Sequence, residues 1–198
     1  ITYGTYYNFQ TVLDFFSTGK ILINNEEKRI TPHPWGLIVM FYNYLSTIDT
    51  GFNIKKIKEI LSYQINEQED KIEKYIKRMS QNEQNLIRKI LECKVDEELM
   101  NYIQLIREKN KVLFNSLSPK SWDKKVNTKI FIFHGANDSM IPYTESIKLS
   151  KSIINSELLV SYLYEHKEVA EDKNLFVKIF ELGKIVRFFY KFILYNEN

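Results

Sequence analysis

Two apolar segments with a helix between them constrain this chain more than any other feature of its sequence. Residues 129–133 (KIFIF) form the first segment and residues 158–164 (LLVSYLY) form the second, and we predict a helix between them over residues 143–154. Two buried strands that a helix connects are typical of a βαβ crossover, which places them side by side and parallel. We therefore predict an α/β fold with a parallel sheet, covered in part by a terminal helix over residues 173–194.

Composition divides the chain into three parts. Residues 1–50 contain aromatic and turn residues, and we assign them to the N-terminal part of the α/β core. Residues 51–120 are almost free of glycine and proline, and their isoleucines and leucines recur at helical spacing, which predicts about four short helices. Ser80, followed by Glu83, has the form of a capping box. Residues 121–198 complete the core, so residues 51–120 are predicted to be a helical insertion.

Overall composition excludes several kinds of function. A net charge of +3, with lysines and glutamates interspersed, gives no nucleic-acid footprint. No apolar run is long enough for a membrane-spanning helix, and we expect no membrane partner. A single cysteine fits a reducing compartment, so we expect a cytoplasmic location. Three scattered histidines and that cysteine show no metal-ligand spacing, so we expect neither a metal nor a cofactor.

Each predicted strand is followed by one residue that could carry chemistry. Asp138 follows the first strand and His166 follows the second. Loops after parallel strands lie at the same edge of the sheet, where open α/β sheets bind ligands. A carboxylate that accepts a hydrogen bond from an imidazole orients the ring and leaves its other nitrogen available as a general base. Asp138 and His166 are therefore the candidate catalytic residues.

These two segments resemble a known family. FIFHGANDSMIP is similar to the seventh strand and acid loop of the α/β-hydrolase superfamily, and YLYEHKE is similar to its eighth strand and histidine loop. The family's order is nucleophile, acid, histidine. The resemblance implies that Asp138 is the acid and His166 the general base. It also implies a partial α/β-hydrolase-like parallel sheet, a lid-like role for the insertion, and a small ester, thioester or peptide substrate.

The chain departs from that family at the nucleophile. The G-x-S-x-G motif is absent, and the nearest segment, FFSTG at residues 15–19, lacks the first glycine and does not lead into a helix. We expect that the serine belongs to preceding sequence and that these 198 residues alone do not hydrolyse esters. If the early strands of the sheet also belong to preceding sequence, residues 3–7 should form an unpaired, aromatic sheet edge. Such an edge favours self-association or pairing with a partner.

Other interpretations remain open. Asp138 in Asn-Asp-Ser is also ordinary turn chemistry, and His166 could be a solvated loop residue. His134 is expected to support the acid loop rather than to bind a metal. The chain could be a non-catalytic α/β-hydrolase-like binding or interaction module, or a helical interaction protein whose working surface is the insertion. The sequence that precedes Ile1 in the native gene would separate these functions best.

Overall fold

The computed structural model describes residues 1–23, 26–163 and 174–197, and within them the chain forms nine α-helices and five strands. The strands are β1 Thr2–Tyr3, β2 Lys20–Ile23, β3 Glu26–Arg29, β4 Ile130–Gly135 and β5 Ser156–Ser161. The helices are α1 Phe9–Thr18, α2 Pro34–Tyr44, α3 Ile54–Ile65, α4 Glu69–Ile76, α5 Gln81–Leu91, α6 Glu97–Lys109, α7 Lys111–Leu117, α8 Tyr143–Ser152 and α9 Leu175–Glu197.

A parallel sheet of three strands forms the centre of the α/β part. Its order is β1-β4-β5, and β4 pairs with β5 over its whole length, from Ile130 opposite Ser156 to Gly135 opposite Ser161. The predicted parallel α/β arrangement is confirmed. β5 ends at Ser161 and begins earlier than the predicted residue 158. The early start is possible because its second residue, Glu157, forms ion pairs with Lys129 and Lys191 that allow a charged side chain within the strand.

The two faces of this sheet are covered by different helices, because alternate residues of β4 point to opposite sides. Phe131 and Phe133 pack against Phe188 of α9 on one face. Ile132 packs against Leu149 of α8 on the other face, together with Ile153, which directly follows that helix. The α/β unit is thus a helix–sheet–helix sandwich in which β4 contributes the central side chains to both cores.

The N-terminal edge strand of the parallel sheet is shorter than predicted. β1 contains only Thr2 and Tyr3, and the pairing ends at Gly4, which has a φ of 55°. The following residues do not continue the strand, because the Tyr7 hydroxyl donates to Asp123 at 3.2 Å and the Tyr6 hydroxyl donates to the Leu117 carbonyl at 3.2 Å. The extended sheet edge predicted over residues 3–7 was therefore wrong beyond Tyr3.

The predicted insertion is helical. Residues 54–117 form five helices, one more than expected, because α7 is a separate short helix after Asn110. The capping box at α5 is confirmed: the Ser80 amide donates to Glu83 at 3.1 Å, and the Glu83 amide donates to the Ser80 hydroxyl at 3.4 Å. By its internal contacts, the compact helical unit comprises Phe16–Gly19 and Pro32–Phe114, so it includes α2 and residues 51–114 of the predicted insertion, while residues 115–120 belong to the α/β unit.

The terminal helix α9 spans 23 residues and is rich in apolar side chains. Lys184, Arg187 and Lys191 interrupt its apolar sequence. Neither α9 nor any other helix in the described ranges combines the length and the apolar character needed to cross a bilayer.

Gly36 in α2 and Gly183 in α9 provide a matched test of packing in the two units. A Cβ at Gly36 would lie 2.4 Å from the Phe16 ring, whereas a Cβ at Gly183 would meet nothing within 4 Å. We predict that Gly36→Ala destabilises the chain by about 1–3 kcal/mol through overpacking. Gly183→Ala should stabilise it by about 0.5–1 kcal/mol, because alanine loses less backbone entropy in a helix. Urea unfolding measures both, and equal effects at the two positions would contradict the packing around Phe16.

Candidate functional site

The acid loop begins where β4 ends. Asp138 lies three residues after Gly135 and has no solvent-exposed surface. One carboxylate oxygen, Oδ1, accepts hydrogen bonds from the amides of Met140 at 2.8 Å and Ile141 at 2.9 Å. Short-range bonds of this kind are typical of aspartate in turns. They hold the carboxylate in one orientation relative to the end of the strand.

The second carboxylate oxygen of Asp138 lies close to the end of β1. A Cβ placed on Gly4 would be 3.5 Å from Oδ2 of Asp138, and the Gly4 amide donates to the Phe133 carbonyl at 3.0 Å. Gly4 has a φ of 55°, which a glycine adopts without strain. The acid loop and the end of β1 thus meet at the carboxyl edge of the sheet.

His134 connects the acid loop to α8. Its ring is fully buried, with Nε2 2.9 Å from the Ile141 carbonyl and Nδ1 2.6 Å from the Ser146 hydroxyl. Because a carbonyl can only accept, Nε2 carries the proton of the first bond. The same Nε2 lies 3.5 Å from Oδ2 of Asp138. His134 therefore supports the acid loop, as predicted from its place at the end of the strand.

Ser146, His134 and Asp138 have the residue types of a catalytic triad, but their positions do not suit catalysis. All three are completely buried. The Ser146 hydroxyl also lies 3.1 Å from the Thr5 carbonyl. A nucleophile must contact the carbonyl carbon of its substrate, and no substrate reaches a buried hydroxyl. This cluster could not be predicted from the sequence, because nothing in the local pattern marks Ser146 as facing His134.

Glu145 fixes the N-terminal segment to α8, and sequence reasoning missed this residue. Its carboxylate is buried; Oε2 accepts from the amides of Tyr7 at 3.2 Å and Asn8 at 2.9 Å, and Oε1 accepts from the Thr11 hydroxyl at 2.8 Å. Lys148 adds an ion pair at 2.6 Å. A buried carboxylate is stable only with such partners, so Glu145 has a structural role between β1 and α1.

Glu181 of α9 holds the end of β5. Its Oε2 accepts from the Ser161 hydroxyl and from the Tyr162 amide, each at 3.0 Å, and Lys184 pairs with its other oxygen. Burial raises the pKa of Glu181, but the bonds from Lys184, the Tyr162 amide and Ser161 together outweigh it, so the net pKa is lowered. Ser161 lies opposite Gly135, the last residue of β4. The point where the chain leaves β5 is thus fixed beside the start of the acid loop.

His166, the second candidate catalytic residue, lies outside the described residues. The nearest described residue before it is Leu163, which is buried and whose amide donates to the Ser161 hydroxyl at 3.2 Å. The described residues place the start of the Asp138 loop and the end of β5 at the same sheet edge, where Gly135 lies opposite Ser161, and the predicted contact between Asp138 and His166 lies outside them.

No group of three or more histidine, cysteine, aspartate or glutamate side chains in the described parts of the chain could hold a metal ion. Comparison with protein-family models, with curated proteins and with solved structures finds no match to this chain.

The lowered pKa of Glu181 predicts a pH-dependent contribution to stability. Because the folded-state pKa lies below the unfolded value of about 4.3, ionised Glu181 stabilises the fold above that pH. This contribution disappears as pH falls through the folded-state pKa. We predict that Glu181→Gln costs about 1–3 kcal/mol at pH 7, and that the difference from the parent chain narrows below about pH 4.

Urea unfolding across this pH range measures the effect. Glu26→Gln is the matched control, because Glu26 is exposed on β3 and should change stability by less than about 0.5 kcal/mol at every pH. A cost of Glu181→Gln that stays constant down to pH 3 would contradict the proposed charge-dependent clamp.

Proposed function

We propose that this chain provides the acid and the general base of a serine-hydrolase-type active site, with Asp138 as the acid and His166 as the base. The expected substrates are small esters, thioesters or peptides. The observation that carries the proposal is the placement of Asp138, which is buried at the carboxyl edge of β4 and oriented by the amides of Met140 and Ile141.

The parallel sheet supports this pairing. β4 and β5 are adjacent and in register to their last residues, Gly135 and Ser161. The Ala136 amide also donates to the Ser161 carbonyl at 2.8 Å, so the two chains leave the sheet together. The segments that carry Asp138 and His166 therefore begin at one edge, as residues that form one site on an α/β sheet must do.

In the proposed reaction, Asp138 accepts a hydrogen bond from one ring nitrogen of His166 and stabilises the imidazolium that forms. The other ring nitrogen removes the proton from a serine hydroxyl as it attacks the substrate carbonyl, and then returns that proton to the leaving group. No glycine of this chain is followed two residues later by serine, so the sequence contains no nucleophile elbow. The proposal assigns the acid and the base to this chain and does not assign it the nucleophile.

One observation favours a second candidate, a non-catalytic α/β-hydrolase-like binding module. The bonds from the Met140 and Ile141 amides to Asp138 are also what a purely structural loop aspartate makes. In this alternative Asp138 shapes its own loop, and His166 contributes nothing to the stability of the carboxylate. The two functions differ in whether Asp138 and His166 are energetically coupled.

A double-mutant cycle between Asp138 and His166 tests the proposed function. Asp138→Asn keeps an oxygen that can accept from the Met140 and Ile141 amides but removes the charge that would pair with the imidazole. His166→Ala removes the ring. We predict a coupling free energy of about 1–3 kcal/mol between the two substitutions, measured by urea unfolding of the parent, both single variants and the double variant at neutral pH.

The control cycle combines Asp138→Asn with His33→Ala. The His33 ring accepts from the Trp35 amide at 3.2 Å at the start of α2. The change in unfolding free energy from His33→Ala should therefore add to that from Asp138→Asn to within about 0.5 kcal/mol. Coupling at His166 no larger than at His33 would remove the catalytic proposal. If Asp138→Asn destabilises the chain without such coupling, Asp138 is the structural loop aspartate of the second candidate.

A further inference from the structure

A regular apolar stripe runs along one exposed side of α9. Its six residues follow one another at alternating spacings of four and three positions and are Leu175, Ile179, Leu182, Val186, Phe189 and Ile193. Each of them is between 38% and 67% exposed. We call these six residues the α9 stripe.

The spacing of the α9 stripe is that of a coiled-coil seam. Apolar residues that alternate at three and four positions repeat every 3.5 residues, and this repeat keeps one line of side chains facing a second helix. A helix that only covers a sheet needs no second apolar side. α9 already has a sheet-facing side, on which Ile185, Phe188 and Phe192 pack against Phe131 and Phe133. Phe189 also reaches the sheet, with its ring centroid 6.0 Å from that of Phe133, whereas the other five stripe residues lie outside this cluster.

The α9 stripe is chemically suited to pack against the same stripe of a second copy of the chain. No charged residue occupies any of its six positions. Two such stripes can therefore pack together without burying a charge, which is the costly event at interfaces. Gly183, beside Leu182, has open space around it, which allows a second helix to approach closely.

The exposed area is sufficient for a dimer. Tyr190 lies beside the stripe on the helix surface and is 59% exposed. Together with the six stripe residues it exposes on the order of 800 Å². A stable protein–protein interface buries about 800 Å² on each partner, and monomers rarely leave a larger apolar patch in water.

We propose that the α9 stripe is a homodimer interface, in which α9 of one chain packs against α9 of a second copy. This contact differs from pairing at the two-residue edge of β1, which offers few hydrogen bonds to a partner. It also does not depend on the proposed catalytic pair, because none of the stripe residues lies in the acid loop.

Sedimentation equilibrium of the 198-residue chain from low to high micromolar concentration tests the interface. We expect a concentration-dependent dimer in the parent chain. Val186→Glu places a charge in the middle of the stripe and should raise the dissociation constant by about tenfold or more. Val112→Glu is the matched control, since Val112 is 85% exposed on α7 and the same substitution there should leave the dimer unchanged.

Circular dichroism and unfolding of each variant establish that the monomer is folded. If Val186→Glu does not fold, Ile179→Ser introduces a smaller polar group at another stripe position and is expected to weaken the dimer in the same direction. A parent chain that is monomeric at all concentrations would overturn the proposal, as would a dimer that persists in folded Val186→Glu or Ile179→Ser. Binding of the monomeric chain to neutral lipid vesicles through α9 would instead make the stripe a membrane surface.

Discussion

The parallel pairing of β4 with β5 is the contact on which the α/β part of the chain depends. Its register, from Ile130 with Ser156 to Gly135 with Ser161, places the ends of both strands at one edge. It also makes β4 the central strand, so that Phe131 and Phe133 face α9 while Ile132 faces α8. A shift of one residue would move each apolar side chain to the wrong face. The position of Asp138 follows from this register, because its loop begins at the last paired residue.

Buried carboxylates fix the segments that meet at this edge. Asp138 accepts from two amides of its own loop, Glu145 accepts from the amides of Tyr7 and Asn8, and Glu181 accepts from the Tyr162 amide. In each case a side chain provides acceptors to backbone groups that no strand or helix satisfies. A small sheet of three strands can thus hold several irregular segments in defined positions. A structural aspartate and a catalytic aspartate both need this kind of anchoring, so the hydrogen bonds of Asp138 fit either role.

The sequence predicted the elements whose own pattern is strong. The apolar run of β4, the helical spacing of residues 54–117 and the Ser80–Glu83 capping box all depend on local residues, and each is present. The start of β5 was misplaced because Glu157 has the polarity of a loop residue until its distant partners Lys129 and Lys191 are known. Glu145, Ser146 and Glu181 could not be found for the same reason: their partners lie far away in the sequence. The location of Asp138 directly after β4 could be predicted because the apolar strand, the glycine and the aspartate are contiguous.

Pairing of Asp138 with His166 can be tested through the NMR signal of the His166 ring in a chain labelled with ¹⁵N-histidine. An imidazole N–H that donates to a buried carboxylate is protected from exchange with water and resonates far downfield. We predict such a signal in the parent chain. It should be absent in His166→Ala, shifted upfield or lost in Asp138→Asn, and unchanged in Ser146→Ala. A His166 N–H that exchanges rapidly with water and does not respond to Asp138→Asn would contradict the pairing of Asp138 with His166.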